Sequence, residues 1–397
     1  MSPKPSPRLF DPWTSRSVTL RNRTAVSPMC QYSAVDGIAT DYHLVHLGRF
    51  AMGGFGLVMT EATAISPEGR LTHGDLGLWG DHQIAPLRRI VNLVHDHGAA
   101  VGIQLGHAGA KAATLAPWED PEDHDEHTRW PIQSVTDQPH APRWQQPRAL
   151  TATDLQAQVD QWVTAAQRAA AVGFDVLEIH GAHGYLLHGF LSPLSNTRID
   201  EYGGSFENRM RFPAAVVAAV RAVWPADRPL FVRLSVVDSD TAGLSLQDSI
   251  AIARRLGELG VDVIDCSSGG IGGSYERPIG PGYQVDYAHT IRQETGLATV
   301  AVGMVMDPQH ADQIIAGGSA DLVALGRQAL AEPAWPYSAA NELGYVEDGE
   351  RYELLPLQSR SWLAKRDRQL TRFENAIQEH PSPTPQKAAA SDPAVRS

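Results

Sequence analysis

The chain has 397 residues, of which 43% are hydrophobic, and a formal net charge of -12 at pH 7. This length and composition allow a large buried core. The acidic balance argues against nucleic acid or an anionic membrane as the main partner, because both attract basic surfaces. Two cysteines, Cys30 and Cys266, are too few for a disulfide framework.

The N-terminal residues lack the apolar core of a signal peptide, and no apolar run approaches the length of a membrane span. We therefore expect a cytoplasmic protein that acts on small molecules and has no nucleic acid or membrane partner. The proline-rich residues 1–8 are expected to form a disordered leader. Residues 380–397 are rich in Pro, Ser and Ala without apolar periodicity and are expected to form a disordered tail.

Short apolar segments alternate with segments of helical periodicity along most of the chain. The first strand is predicted at 24–32, and a helix at 43–52 follows it. The next helix has Asp81 as its predicted N-cap, and the helix before the fourth strand is predicted to begin at Thr151 or Thr153. The other strands are predicted at 55–63, 99–105, 176–179, 230–235, 261–267, 298–303 and 321–326, and the later helices at 207–223, 246–259, 283–294 and from Asp307-Pro308 onward.

Eight strands, each followed by a helix or a long loop and with no two-residue hairpin turn between them, predict an α/β fold of the (β/α)₈ TIM-barrel type. A doubly wound sheet is the alternative, but no Gly-x-Gly-x-x-Gly turn follows the first strand. Residues 112–149 lack periodicity and are predicted to be a lid or capping insertion after strand three. We predict one domain at 9–362 and a C-terminal extension at 363–379.

The fourth strand ends in two imidazoles and a phenol, His180, His183 and Tyr185. All three can donate hydrogen bonds, and Tyr185 can also part with a proton, so together they could bind a polarised oxygen and protonate a neighbouring atom. Two alternatives stay open. The histidines could bind a metal with a third ligand that the sequence does not identify, or they could be purely structural.

Other polar residues also lie at the ends of predicted strands, where barrel enzymes place their active sites. Cys30 and Tyr32 follow strand one, Gln104 and His107 close strand three, and Arg233 lies late in strand five. An unpaired guanidinium inside a barrel is costly, so we interpret Arg233 as facing an anionic or electron-rich ligand. The alternative is that it pairs with an acid.

Glycines follow the last two strands, Gly303-Met304 after strand seven and Gly326-Arg327 after strand eight. Glycine allows the backbone to approach a ligand closely, and barrels often bind phosphate with these two loops. We therefore predict a phosphate clamp here. The loop at 269–273, Gly-Gly-Ile-Gly-Gly, is another backbone-exposing segment near the same rim, or a hinge.

Several of these segments together resemble the old yellow enzyme family of FMN-dependent ene-reductases, in particular its thermophilic-like, xenobiotic reductase branch. The resemblance runs from about residue 9 to 362. It is carried by Ser27-Pro-Met-Cys-Gln-Tyr32, Gln104-Leu-Gly-His-Ala-Gly109, His180-Gly-Ala-His183-Gly-Tyr185 with its tail at 196–212, Val232-Arg233-Leu, and Gly326-Arg327.

The resemblance implies FMN across the barrel mouth, reduced by NADPH or NADH, and an activated alkene, an α,β-unsaturated carbonyl or nitro compound, as substrate. It implies that Gly303 and Arg327 hold the FMN phosphate and that Arg233 faces the pyrimidine end of the flavin. The other cofactor-binding residues that it implies are Pro28, Met29, Cys30, Ala62, Gln104, Met304 and Gly326.

In the mechanism that the resemblance implies, His180 and His183 bind the substrate oxygen and Tyr185 protonates the α-carbon, in a ping-pong sequence with the nicotinamide. Cys30 would lie beside the flavin, and Tyr32 would contact the substrate from the opposite wall. Ala110 and Lys111 stand where relatives commonly have an arginine, which puts the role of this position in doubt.

The resemblance also implies a homodimer or homotetramer in which Arg360 and Trp362 reach the active site of a neighbouring subunit, although this segment could equally be the start of a surface helix. Three rivals differ in their requirements. A dienoyl-CoA reductase needs a cysteine cluster and a second nucleotide-binding domain, and a barrel aldolase needs a lysine in a strand. A non-catalytic flavin-binding protein would need neither His183 nor Tyr185.

Overall fold

A computed structural model describes residues 8–345, apart from 121, 123–124, 126–127, 143 and 273–278, and residues 351–379. The chain divides into two units, Met1–Tyr345 and Val346–Ser397. The predicted tail and all but the last residue of the predicted leader lie outside the described residues, as does the last glycine of the loop at 269–273. Within these described ranges, no helix is both long and apolar enough to cross a membrane.

Eight parallel strands close into a barrel in the order β3, β4, β5, β8, β9, β10, β11 and β12. The predicted (β/α)₈ fold is therefore confirmed. The strands are β3 (Thr24–Val26), β4 (Leu57–Ala64), β5 (Ala100–Gly106), β8 (Val176–Gly181), β9 (Leu230–Ser235), β10 (Val263–Ser267), β11 (Ala298–Ala301) and β12 (Leu322–Leu325).

Helices alternate with these strands because their apolar stripes cover the outer face of the barrel. Those of the first unit are α1 (Asp41–Met52), α2 (Ile84–Asp96), α3 (Ala152–Val172), α4 (Leu186–Leu191), α5 (Phe206–Val223), α6 (Leu246–Glu258), α7 (Val285–Thr295), α8 (Pro308–Ala316), α9 (Arg327–Ala331) and α10 (Trp335–Glu342), and the second unit contains α11 (Leu357–Glu379). As predicted, Asp307 caps α8 and Pro308 is its first residue.

An N-terminal hairpin precedes the barrel and was not predicted. Its strands, β1 (Trp13–Ser15) and β2 (Val18–Leu20), pair antiparallel, and their apolar side chains pack against the core cluster inside the barrel. Three residues per strand are too few for an alternating pattern to be recognised in the sequence.

The predicted insertion lies between β5 and α3. A 3₁₀ turn at Gly109–Lys111 precedes it, and its described residues contain two short parallel strands, β6 (Gln133–Ser134) and β7 (Arg148–Ala149). Trp130 fixes the segment to the loop after β4, because its indole donates to the Glu68 carbonyl at 3.0 Å and its ring lies under the Arg70 guanidinium. This attachment places the insertion beside the loops that follow the barrel strands.

Two details of the predicted elements are wrong. Asp81 does not cap α2, because it opens a 3₁₀ turn at Asp81–Gln83 that leads into the helix, and its carboxylate accepts a hydrogen bond from Arg168. The first barrel strand ends at Val26 rather than at residue 32. Pro28 has no N–H to donate to a ladder, so the segment beyond Val26 leaves the sheet.

The cap of α3 gives a test of the local structure. Thr151 Oγ1 accepts a hydrogen bond from the Asp154 amide, and Asp154 in turn accepts one from the Thr151 amide. We expect Thr151→Ala to lower the free energy of unfolding by about 1 kcal/mol, because it leaves helix N–H groups without this partner. The measurement is denaturant unfolding followed by circular dichroism.

Thr153 is the matched control, since it is exposed and lies inside the same helix. Thr153→Ala should leave the free energy of unfolding unchanged or raise it by a few tenths of a kcal/mol, roughly the difference in helix propensity. Equal losses in both variants would contradict the assignment of the cap to Thr151.

Candidate active site at the mouth of the barrel

The turn after β8 has an unusual backbone. His183 has a φ of +59°, a backbone angle that residues other than glycine rarely adopt. Three contacts hold it. The His183 amide donates to Ser235 Oγ at 2.9 Å, its ring Nε2 lies 2.7 Å from Ser267 Oγ, and its carbonyl accepts a hydrogen bond from Lys111 Nζ at 2.7 Å. The His183 backbone and ring are therefore held by residues at or beyond the ends of three different strands.

Gly184 extends the same turn with φ of +74°. A Cβ at this position would lie 2.3 Å from the Gly270 carbonyl, so only glycine fits. The Gly184 amide donates to Nδ1 of His188, whose Nε2 lies 3.0 Å from Asp238 Oδ1 in a fully buried pair. The turn thus rests on α4 on one side and on the loop after β10 on the other.

The three predicted catalytic rings meet above this turn. The His180 ring centroid lies 5.1 Å from that of His183 and 4.7 Å from that of Tyr185. His180 Nδ1 accepts a hydrogen bond from the Ala182 amide at 3.2 Å, so the ring proton of a neutral His180 is on Nε2. This leaves Nε2–H of His180 as a hydrogen-bond donor.

Burial controls the protonation of these groups. Burial, with a further contribution from Arg233, lowers the pKa of His180 and of His183 well below the ordinary histidine value, so both rings are neutral at neutral pH. Burial raises the pKa of the Tyr185 phenol, which keeps its proton. Burial also lowers the pKa of Lys111 to about 8.

The opposite wall is formed by the segment that follows β3. Tyr32 has φ of +52°, and its ring packs edge-on against Trp118 at 5.5 Å. The segment is fixed from below, because the Gln31 amide donates to Glu61 Oε2 at 2.9 Å. Burial, with smaller contributions from Asp75 and Glu61, raises the pKa of Cys30, so this residue is a neutral thiol.

A cavity of about 430 Å³ opens between the ends of β11 and β12. Six residues predicted to bind the cofactor line it, Met29, Arg233, Gly303, Met304, Gly326 and Arg327. Of the others, Ala62 lines a smaller cavity that also contacts Tyr185, while Gln104 is buried inside the barrel and donates to Glu178. Pro28 and Cys30 lie on the segment after β3 and line neither cavity.

The geometry of this cavity suits a phosphate. Gly303 has φ of +123°, and a Cβ there would lie 3.0 Å from the Gln284 side-chain nitrogen, so the backbone approaches the cavity closely. Arg327 is exposed, and its guanidinium forms no ion pair with any residue in the described part of the chain. A cation beside a glycine backbone is a combination that can bind phosphate.

One premise about Arg233 is wrong. The guanidinium is not unpaired, because its Nε lies 3.3 Å from Asp265 Oδ2 and its Nη1 donates to Ser27 Oγ at 3.1 Å. The alternative of pairing with an acid therefore holds. Arg233 nevertheless also lines the large cavity, so the pairing does not remove it from the site.

Two residues of the site, Ser235 and Ser267, were not recognised in the sequence, and the role of a third, Lys111, was left in doubt. Ser235 and Ser267 are the last residues of β9 and β10, so the reasoning that identified the other strand ends applied to them as well. Lys111 lies in the turn after β5, and its contact with His183 depends on the fold of the insertion. Among the described residues, no group of three His, Cys, Asp or Glu side chains is arranged to hold a metal ion.

The residues predicted to act in trans lie in the second unit, at the start of α11. Arg360 is held within that unit, where its Nη2 donates to the Glu353 carbonyl at 2.7 Å. The Trp362 side chain is 69% exposed. The helix start that was the alternative reading of this segment is present, since α11 begins at Leu357.

Comparison with known proteins decides the family. The family model described as NADH:flavin oxidoreductase / NADH oxidase matches residues 8–344. The chain belongs to this family. An NADPH dehydrogenase of Geobacillus sp. (strain WCH70) is 45% identical over 338 residues, which cover 85% of this chain and 94% of the relative.

Solved structures agree with this family and with the fold. Morphinone reductase in complex with tetrahydroNAD is 26% identical, with a TM-score of 0.69 over 87% of this chain and 94% of that one. A 2-naphthoyl-CoA reductase is 22% identical with a TM-score of 0.76 over 84% of this chain, which shows the fold alone. The chain spans about half (52%) of the length of that reductase.

Membership of this family confirms the resemblance to old yellow enzymes and the cofactor prediction. The protein is an FMN-dependent NAD(P)H oxidoreductase of the old yellow enzyme type. The residues around the cavity are compatible with this cofactor, because they combine a backbone cradle with two arginines.

The protonation of His180 can be tested directly. We expect long-range ¹H–¹⁵N NMR of histidine-labelled protein at about pH 6 to show a neutral His180 ring with its proton on Nε2, because burial lowers its pKa and Nδ1 accepts from Ala182. The signal is assigned by its loss in His180→Gln. A doubly protonated ring at this pH would contradict the proposed electrostatics of the site.

Proposed function

We propose that the protein reduces the activated C=C bond of α,β-unsaturated carbonyl or nitro compounds with NADPH as reductant. The observation that carries the proposal is the meeting of two neutral imidazoles and one protonated phenol, His180, His183 and Tyr185, at the barrel mouth beside the cavity. These groups can stabilise negative charge on an oxygen and supply one proton, which is the chemistry that alkene reduction requires in addition to a hydride.

The cavity residues would hold FMN. Gly303 and Arg327 suit its phosphate, and Arg233 would place a positive charge near the ring system. The ring would further contact Pro28, Met29, Cys30, Ala62 and Gln104, while Met304 and Gly326 would belong to the loops around the phosphate. Bound FMN would supply the hydride acceptor and donor that the reaction needs between the nicotinamide and the alkene.

The imidazoles would bind the substrate oxygen. His180 presents Nε2–H, and His183 is fixed by its contacts with Ser235, Ser267 and Lys111. As a hydride reaches the β-carbon, negative charge develops on the carbonyl or nitro oxygen, and prepositioned donors stabilise this charge without reorganisation. Because the rings are neutral, they donate hydrogen bonds and do not protonate the oxygen.

Tyr185 would complete the reduction by transferring its phenolic proton to the α-carbon. Hydride and proton together add two hydrogens across the double bond, the nicotinamide is oxidised, and solvent returns a proton to the phenolate. Tyr32 would contact the substrate from the opposite wall, and Cys30 would lie beside the cofactor as a neutral thiol.

NADPH is proposed as reductant because the Geobacillus relative bears the name NADPH dehydrogenase, and the morphinone reductase structure contains a nicotinamide dinucleotide. Nicotinamide and alkene would occupy the same site in turn, in a ping-pong sequence, because both must reach the same hydride carrier.

A homodimer or homotetramer belongs to the same proposal. The exposed indole of Trp362 and the guanidinium of Arg360 at the start of α11 are suited to contact the substrate site of a neighbouring subunit. An aromatic side chain and an arginine are the residue types that most often provide the binding energy of an interface.

Single-turnover kinetics can test the role of Tyr185 as proton donor, because reduction and oxidation of the enzyme are measured separately. We expect Tyr185→Phe to slow the oxidation of reduced enzyme by 2-cyclohexenone about 10²-fold or more, because the proton donor is lost. Reduction of the enzyme by NADPH should stay within a few-fold of wild type, since that step needs no proton from Tyr185. Both steps are measured by stopped-flow flavin absorbance.

Tyr32→Phe is the matched control, because it removes a phenolic hydroxyl from the other wall of the same site. It should change the oxidation step only a few-fold. Unchanged oxidation in Tyr185→Phe would contradict its role as proton donor, and equal losses in both variants would contradict the assignment of the proton to one wall.

A further inference from the structure

A polar layer crosses the interior of the barrel below the catalytic rings. Its members project inward from four neighbouring strands, β5, β8, β9 and β10, and each is at most 5% exposed. They are Gln104, Glu178, Arg233 and Asp265. Residues two positions apart on a strand share a face, so the layer lies directly between His180, Ser235 and Ser267 above it and an apolar layer below it.

The contacts within this layer leave two buried atoms without a hydrogen bond, Arg233 Nε, which has only its ion pair with Asp265, and Asp265 Oδ1. Gln104 Nε2 donates to Glu178 Oε1 at 2.7 Å, and Arg233 Nε lies 3.3 Å from Asp265 Oδ2. The Glu178 and Asp265 carboxyl groups lie within hydrogen-bonding reach of each other, yet Asp265 Oδ1 is buried and accepts no hydrogen bond from protein. Two carboxylates can form a hydrogen bond only if one of them carries a proton.

The charge balance supports the same conclusion. Two ionised acids and one arginine would leave a net negative charge in a dry interior, which is costly. Like charges that share a site also shift the pKa of one carboxyl upward. Burial raises the pKa of Glu178 to about 8, and burial raises the pKa of Asp265 although Arg233 opposes the shift.

No other charge faces this pair among the described residues. His180, two residues beyond Glu178 on β8, is neutral. Gln104, which donates to Glu178, and Ser27, which accepts from Arg233, carry no charge. The core residues that the remaining strands contribute to the barrel interior are Ala25, Met59, Val300, Val302, Leu322 and Ala324. Glu61, a buried acid on β4, is engaged elsewhere, because its carboxylate accepts from the Gln31 amide and lies 3.2 Å from His43 Nε2. Arg233 is therefore the single cation that responds to the protonation of the two carboxyl groups.

We propose that Glu178 and Asp265 share one proton inside the barrel, and that this proton keeps the positive charge of Arg233 available to the flavin. Glu178 is then a positioning residue that acts on the cofactor through Arg233. The second half of this inference rests on the proposed function, because it requires FMN beside Arg233.

The shared proton would make the midpoint potential of the bound flavin depend on pH, and the direction of the change follows from the charges. When it leaves at alkaline pH, a second negative charge offsets Arg233, so the added negative charge of the reduced cofactor is less favoured and the midpoint potential falls. Glu178→Gln replaces the shared proton with an amide N–H that donates to Asp265 at every pH. The variant should therefore lack this extra fall.

The first test is the infrared spectrum of the full-length protein as purified. We expect carbonyl absorbance of protonated carboxyl groups at about pH 6 that disappears by about pH 10, and Glu178→Gln should lack the component that the shared proton contributes. Asp75→Asn is the control, because burial also raises the pKa of Asp75, to about 7, so this variant should lose a separate component and keep the one that Glu178→Gln removes. A wild-type spectrum without carbonyl absorbance, or one that Asp75→Asn abolishes and Glu178→Gln leaves unchanged, would overturn the shared proton.

The second test is the midpoint potential of the bound flavin, measured spectroelectrochemically. We expect wild type and Glu178→Gln to agree at about pH 6 and the wild-type potential to be lower at about pH 9. Equal midpoint potentials of wild type and Glu178→Gln at both pH values would overturn the coupling to the flavin. A protein that binds no FMN would refute the proposed function and the coupling, while the infrared band would still decide the shared proton.

Discussion

The strained turn after β8 is the constraint on which the site depends. A left-handed backbone at His183 costs roughly 1–3 kcal/mol and persists only where surrounding contacts over-determine it. Those contacts come from three separate parts of the barrel, Ser235, Ser267 and Lys111. Because each partner lies at or beyond the end of a different strand, closure of the barrel is required before the imidazole takes up its position.

Electrostatics differ between successive layers of the barrel interior. The lowest layer is apolar, the next contains Arg233 between two acids, and the rim contains neutral imidazoles and a phenol. Burial lowers the pKa of the histidines above this layer and the charge of Arg233 lowers it further, so the buried cation favours an electron-rich ligand and helps to keep His180 and His183 neutral. Hydrogen-bond donation to a developing oxyanion depends on that neutrality.

Much of this arrangement was predictable, since parallel strands bring their carboxyl ends to one rim and inward residues recur every second position. The barrel, the ring cluster and the glycines at 303 and 326 followed from these rules. The ion pair between Arg233 and Asp265 could not be predicted, because nothing in a single sequence indicates that the two side chains lie in the same layer of the barrel. The contact of Lys111 depends on an insertion without periodicity, and the hairpin strands are too short to be recognised.

An anaerobic titration of the purified protein followed by its absorption spectrum tests the central claim most directly. Flavin absorbance should bleach on addition of NADPH and recover on addition of 2-cyclohexenone, which would establish both half-reactions at one bound FMN. Protein that shows no flavin absorbance and takes up no added FMN would contradict the account, as would flavin that bleaches but is not reoxidised by the enone.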